Sequence, residues 1–325
     1  MKLSLSDARA LAREKLLRIG YRPEDLVSMI NHLIDCELRG HGYSGLARIV
    51  SIKERHDACG PPDTQFDILR ETPVSALVQG NDQIGYIVGQ KVTDLAIEKA
   101  TTTGLAMVGG NDTWYTGMLS FYAEQVCAQG LVAMIWSNAA PWVAPYGGTE
   151  GRFGTNPVCF GFPCGDEPVI WDIGTSEIIH AQVLQAKRLG RELPDGVAYD
   201  SNGNPTVDPE EALGGAFAAW GGHKGSGLAI CVQLMGMMAG SAPLPDDMTG
   251  FAMVMVAAKP DLLRDAAEFE ADVATYAQVI RDTRPVTGGP TLRMPFERSR
   301  RERGEAEARG WIEIPDEIYR TILEI

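Results

Sequence analysis

Four apolar runs in the middle and later part of the chain restrict its architecture most. LVAMIWSN (131–138), NPVCFGFP (156–163), PVIWDIGTS (168–176) and GFAMVMVAA (250–258) are bounded by Gly, Pro and Asn. They read as strands of a covered sheet, because a strand buried on both faces shows a continuous apolar run instead of an alternating one. Helical patterns supply the cover. From Ser6 to Gly20 and from Pro23 to Gly40 apolar residues recur at helical spacing, and Leu26, Val27, Ile30, Leu33, Ile34 and Leu38 are expected to share a face of the second segment. KVTDLAIEKATTTG reads as a third helix ending near Gly104 and LSFYAEQVCAQG as a fourth ending at Gly130, with LAMVGG between them as a short buried strand. Further on, YDSNGNPTVDPEEAL is a turn-rich loop, and GSGLAICVQLMGMMAGS is a helix too short to span a membrane. A helix is expected from Leu262 to Ile280, and the charged SRRERGEAEARG as a solvated loop.

With 325 residues, 45% hydrophobic and 22% charged, the chain has globular composition, enough for one large or two ordinary domains. Its net charge of −14 at pH 7 argues against nucleic acid or an anionic membrane as partner, since either would be repelled. Anionic ligands would need a local concentration of cations or N–H groups, which singles out Arg48 and Lys224 beside their glycines. The cysteines at 36, 59, 127, 159, 164 and 231 form no CxxC pair and read as reduced, mostly buried thiols, and no metal site is expected. MKLSLSDARALAREKL lacks the apolar core of a signal peptide, so a cytoplasmic protein is expected.

Strands and glycines together suggest a nucleotide cofactor, yet neither GxGxxG nor GxxxxGK[ST] occurs, so a Rossmann fold and a P-loop are both unsupported. Four glycine-bearing stretches remain. RGHGYSGLAR (39–48) sets His41, Ser44 and Arg48 among three glycines. VAPYGGTEGRFGTNPVCFGFP (143–163) leads into a strand. WDIGTSE (171–177) ends one with an acid and two hydroxyls, and GGHKGSGLA (221–229) puts His223 and Lys224 in a turn opening a helix, where N–H groups and a cation attract phosphate. Each taken alone is equally a loop with turn glycines and an N-cap.

Taken in order, these stretches resemble the malate/L-lactate dehydrogenase family, which is unrelated to Rossmann enzymes of similar name. The likeness runs through APYGG, GTNP, DIGTS, DSNGNPTVDPEEAL and GGHKGSGLA to RGEAEA near the end. It implies an α+β, non-Rossmann nicotinamide-binding fold with a large mixed, mostly antiparallel sheet and an N-terminal helical region. Residues 1–104 and 281–325 would form a helical, substrate-side domain, and 105–280 the NAD(P)-binding sheet domain. A homodimer with NADPH or NADH as cofactor and a small carboxylate as substrate is implied as well. By the same resemblance Arg48 partners a substrate carboxylate, and Thr155 and Asn156 approach the nicotinamide. Asp172, Thr175 and Ser176 lie along the dinucleotide, His223 and Lys224 near its phosphates or adenosine, and Gly304 with Glu305 in a segment closing over it.

The chain departs from the family pattern at two places of chemical weight. RGHxSHGxxR reads RGHGYSGLAR here, so Ser44 stands at the second histidine, and NSxHxG reads NDTWYTG, so Trp114 stands at another. Neither a serine hydroxyl nor an indole N–H is an efficient acid near pH 7. His41, His180, His223, Tyr43, Tyr115 and an ordered water remain as proton donors, with Ser44 expected to offer a hydrogen bond and Trp114 an apolar pocket wall. The reading is an NAD(P)H-dependent reductase of a small carboxylate-bearing imine or 2-keto acid. Its alternative is the family fold kept for a non-redox reaction or as a binding protein.

Overall fold

The computed structural model describes residues 1–60, 65–246 and 248–325. The two expected N-terminal helices are α1 (Leu5–Ile19) and α2 (Leu26–Leu38). The first begins where Ser4 Oγ accepts the Asp7 N–H at 3.1 Å, and stops at Gly20, whose φ of 116° is open to glycine. A third helix, α3 (Arg48–Cys59), follows the RGHGYSGLAR turn. The chain ends meet: strand β1 (Lys2–Ser4) pairs antiparallel with β11 (Trp311–Glu313), and α11 (Asp316–Glu324) packs on α3. Leu16, Leu33, Ile34, Ile49 and Ile322 are fully buried between these elements. Each contributes about 1.5–3 kcal/mol by leaving water.

Beside this helical body stands a seven-stranded sheet. Its members are β2 (Asp67–Thr72), β3 (Ser75–Ile84), β4 (Leu105–Trp114), β5 (Val132–Ser137), β6 (Val158–Phe162), β7 (Val169–Ile173) and β10 (Phe251–Ala258), in the spatial order β2-β3-β4-β10-β5-β6-β7. Only β3 and β4 run parallel, which requires a crossover, supplied by α4 (Gly85–Thr103). All other pairings are antiparallel, so the sheet is mixed and mostly antiparallel, as the resemblance implies. Strand β10 shows why these runs read as continuously apolar. Met253, Met255 and Ala257 face α4 and α5 (Leu119–Cys127), while Ala252 and Val254 face the opposite layer with Met235.

The β2–β3 hairpin is an addition to the sequence reading. Strand β2 is exposed throughout and carries no apolar signature, and since both strands precede residue 105, the expected domain boundary there cuts the sheet. The remaining elements are α6 (His180–Arg188), the small pair β8 (Ala198–Tyr199) and β9 (Ala216–Phe217) with α7 (Pro209–Gly214), then α8 (His223–Met238) and α9 (Ala266–Arg281). SRRERGEAEARG is not a loop but the body of α10 (Glu297–Arg309). Arg298–Glu302 and Arg301–Glu305 stand at i,i+4 spacing, and Arg303 reaches Asp35 of α2 and Glu124 of α5. All six cysteines are free, though Cys59 and Cys231 are exposed, which corrects the expectation of mostly buried thiols to three of them.

Candidate active site

The turn between α2 and α3 is held from beneath. Glu37, the last residue but one of α2, accepts the Leu46 N–H at 2.6 Å, and a Cβ built at Gly45 would overlap its carboxylate. Burial pushes the Glu37 carboxyl up to about 8. Further bonds close the turn: His41 N–H to Cys36 O at 2.8 Å, Ser44 N–H to His41 O at 2.7 Å and Arg48 N–H to Gly45 O at 2.9 Å. Arg39 points away from it, fully buried, donating to Asp35, Glu124 and Ser299. The two arginines of one motif thus part company, the first knitting three helices together and the second facing a cavity.

That cavity has a volume of about 260 Å³, near the lower end of the roughly 300–1,000 Å³ of small-molecule pockets. His41, Tyr43, Ser44 and Arg48 all line it. Arg48 is 8% exposed, its guanidinium lies 4.1 Å over the Tyr115 ring, and its buried Nη1 has no hydrogen-bond partner. Thr155, Asp172 and Gly174 line it as well, with the aromatic side chains of Tyr86, Tyr115, Trp142 and Phe251. Asp172 Oδ2 accepts the Ser120 N–H at the start of α5 at 2.7 Å, and burial raises its carboxyl. His180, first residue of α6, lies flat on Trp142 with ring centroids 4.0 Å apart. Burial, then the charges of Arg48 and Arg188, push its imidazole down to about 3, so it is neutral at pH 7.

Trp114 requires a correction, because its indole does not line this cavity. Trp114 is 2% exposed in the core, donates Nε1–H to Asp82 O at 2.9 Å and carries the Arg55 guanidinium 4.9 Å from its ring. It ends β4 with its side chain on the buried side, and Tyr115, at a φ of 48°, turns the chain so that the next ring enters the cavity. The aromatic wall expected from Trp114 is therefore supplied by its neighbour.

Among the proposed cofactor positions, Thr155 and Asp172 line the cavity, and Asn156 and Thr175 lie beneath it, both fully buried. Asn156 donates to Ala229 O at 2.9 Å and Gln233 Oε1 at 3.1 Å, and Thr175 Oγ1 donates to the carbonyls of Thr155 and Asn156 at 3.2 Å. These two side chains fasten the loop. Ser176 Oγ is buried without a partner. His223 and Lys224 are exposed on the first turn of α8, beside a second cavity lined by Tyr146, Glu177 and Gly222. Gly304 and Glu305 are exposed on α10 and line neither cavity.

Tyr86, Trp142 and Phe251 were not foreseen: each sits in a segment that reads as strand, helix or loop with nothing chemical about it. His32 was missed too. It is fully buried behind the wall, accepts the Met118 N–H at 2.9 Å and stacks on Tyr86 at 4.5 Å. No candidate metal cluster occurs, and no helix is long and apolar enough to cross a membrane, among the described residues.

Comparison with known proteins adds four likenesses. The family model of malate/L-lactate dehydrogenases matches residues 3–323. L-sulfolactate dehydrogenase of Methanothermobacter thermautotrophicus is 30% identical over all of this chain and 96% of its own length. Delta(1)-pyrroline-2-carboxylate/Delta(1)-piperideine-2-carboxylate reductase of Pseudomonas putida is 33% identical over 67% of this chain and 65% of its own. Among solved structures, a dehydrogenase from Sinorhizobium meliloti superposes with a TM-score of 0.91 at 27% identity, covering 100% of this chain and 97% of that one.

Proposed function

This chain belongs to the malate/L-lactate dehydrogenase family and is an NAD(P)-dependent oxidoreductase, and we propose that its cavity at Arg48 reduces a small carboxylate-bearing imine, cyclic or linear, or a 2-keto acid. The observation that carries the reading is Arg48 itself: a buried guanidinium, spread over the Tyr115 ring, with Nη1 unpaired. A buried cation without a counter-charge is costly, and a ligand carboxylate meeting it through two charge-assisted bonds removes that cost. Tyr115, Trp142 and Phe251 offer a flat or apolar part of the substrate a surface beside its carboxylate.

Bound NADH or NADPH supplies the hydride. The fit of the chain to such a cofactor rests on Ser176 Oγ, a buried hydroxyl lacking a partner, on Gly174 at the cavity edge, and on His223 and Lys224 at a helix N-terminus. Asp172 and Thr155 face the space the nicotinamide would share with the substrate, Thr175 and Asn156 hold the loop carrying them, and Gly304 and Glu305 belong to the outer closing segment. Ser44 offers the substrate a hydrogen bond. Reduction of a protonated imine yields a neutral amine, whereas reduction of a ketone leaves an alkoxide that needs a proton.

The decisive experiment measures NAD(P)H oxidation with oxaloacetate, pyruvate and Δ1-piperideine-2-carboxylate, for wild type and Arg48→Lys. Turnover of at least one by wild type and its collapse in the variant is the expected result. A thermal shift with NADH or NADPH separates the redox reading from a binding protein, since a ligand of the native state raises its stability; silence with both would sink the redox reading.

We further propose a cytoplasmic location, in keeping with six free thiols, and a homodimer through the outward face of α8. Ile230, Leu234 and Met238 are 47%, 56% and 59% exposed there, on a helix apolar all round, a pattern that belongs to buried helices. Leu234→Glu should turn a dimer into a monomer by sedimentation velocity.

A further inference from the structure

We propose that Tyr43 is the proton donor of this site and that His41 recharges it from solvent. The inference rests on the reductase reading above and adds the missing acid. Tyr43 Oη and His41 Nδ1 stand 3.1 Å apart, and both side chains line the cavity that holds Arg48. This pair is a property of this chain's own sequence, since Tyr43 stands at the serine of the SH pattern whose histidine is replaced by Ser44. The backbone bond from Ser44 N–H to His41 O, 2.7 Å, fixes the spacing of the two rings, whose centroids are 5.8 Å apart.

Other acids in the cavity are less suited. Ser44 has an aliphatic hydroxyl. His180 is held neutral by burial and by Arg48, and lies pressed on Trp142. Asp172 spends Oδ2 on Ser120 N–H. Tyr43 is a phenol pushed up to about 12 by burial, so it keeps its proton until an alkoxide, a far stronger base, forms beside it.

The transfer balances as follows. Hydride reaches the substrate carbon and the C=O π pair moves onto oxygen, so the carbonyl is reduced and NAD(P)H oxidised. The Tyr43 O–H bond breaks as the substrate O–H bond forms. His41 then gives its Nδ1 proton to the phenolate while Nε2 takes one from a water, which leaves as hydroxide into solvent; exchange of the ring protons with solvent returns the imidazole to its first neutral tautomer before the next turnover, so solvent is the net proton source. His41 suits that role, because burial and Arg298 lower its pKa, opposed by Glu302. The charges that act on it are those of Arg298 and Glu302 on α10, Asp35 on α2 and Arg39 just past the end of α2.

The test uses the full-length protein as wild type, Tyr43→Phe and His41→Asn, with oxaloacetate, pyruvate and Δ1-piperideine-2-carboxylate as probes. Tyr43→Phe should lower kcat on the keto acids about 100-fold or more, the usual share of a general acid, and on the imine by less than about 10-fold. Its Kd for NADH and NADPH, from fluorescence titration, should stay within about threefold, showing an intact fold. His41→Asn should lose less kcat and move the pH profile. Histidine ¹⁵N NMR gives a readout without turnover: the His41 tautomer signals should shift in Tyr43→Phe. Tyr43→Phe retaining keto-acid kcat, or His180→Asn alone abolishing it, would overturn the pair. Should Tyr43→Phe fail to bind NAD(P)H, His41→Asn decides alone, and an unmoved pH profile counts against the proposal. Absence of any NAD(P)H-linked turnover by wild type would instead bring down the reductase reading and the pair with it.

Discussion

Two glycine-rich turns of this chain, RGHGYSGLAR and GGHKGSGLA, look alike in composition: each sets a histidine and a cation among glycines at a helix start. In the fold they differ in kind. The first is packed from below by Glu37 and from the side by α10, so that Gly40 stands 2.9 Å from Glu302 Oε2 by its would-be Cβ, and Arg48 is buried with an unpaired Nη1. The second leaves His223 and Lys224 in solvent. Burial, not composition, separates the turn proposed to hold a small carboxylate from the one proposed to attract the cofactor at the surface.

The largest expected effect lies in the buried turn. Arg48→Lys replaces a planar fork by a point charge and should cut kcat/KM on carboxylate substrates by about 100-fold or more. Steady-state kinetics that match wild type on every acid would break the contrast. Gly45→Ala comes next, since its methyl meets the Glu37 carboxylate. A loss of about 1–3 kcal/mol is expected by denaturant unfolding, and an unchanged midpoint would mean that the turn is looser than the packing shows.

Glu37 sharpens the comparison through pH. Its folded pKa of about 8 lies above the carboxylate's usual value of about 4.3, so the stability it contributes is complete below about pH 4 and lost as pH rises through about 8. Wild type should therefore lose Tm relative to Glu37→Gln between pH 5 and 8; a constant difference across that window contradicts the burial argument. In the exposed turn effects are smaller. Lys224→Ala should weaken NAD(P)H binding by about two- to fivefold, the worth of a screened charge at a helix N-terminus, as read by fluorescence titration. Gly227→Ala, where a Cβ meets nothing within 4 Å, should be neutral or stabilise by up to about 1 kcal/mol. Destabilisation there like that at Gly45 would erase the difference.

Strand and helix positions were legible where both faces of an element are buried, as in β5, β6, β7 and β10, or where one face is, as in α1 and α2. The exposed strand β2 carried no such mark, and α10 looked like a loop because it is mostly charged and its ties to Asp35 and Glu124 through Arg303 span sequence separations no local pattern displays. The site was legible in part. Arg48, Ser44, His41, Thr155 and Asp172 do share a cavity. Trp114 does not, since a single residue of register at the end of a strand decides which of two adjacent rings faces the core.

By itself the order of residues determined a covered sheet, two N-terminal helices, an acidic surface and the glycine turns where chemistry would gather, because hydrophobic period and backbone permissiveness are local properties. Only the tertiary structure decided which cation is buried and unpaired, that Tyr115 and not Trp114 forms the wall, and that Tyr43 meets His41. Those outcomes depend on what packs against each side chain from helices and strands distant in the chain, and burial and hydrogen-bond partnership arise from that packing alone.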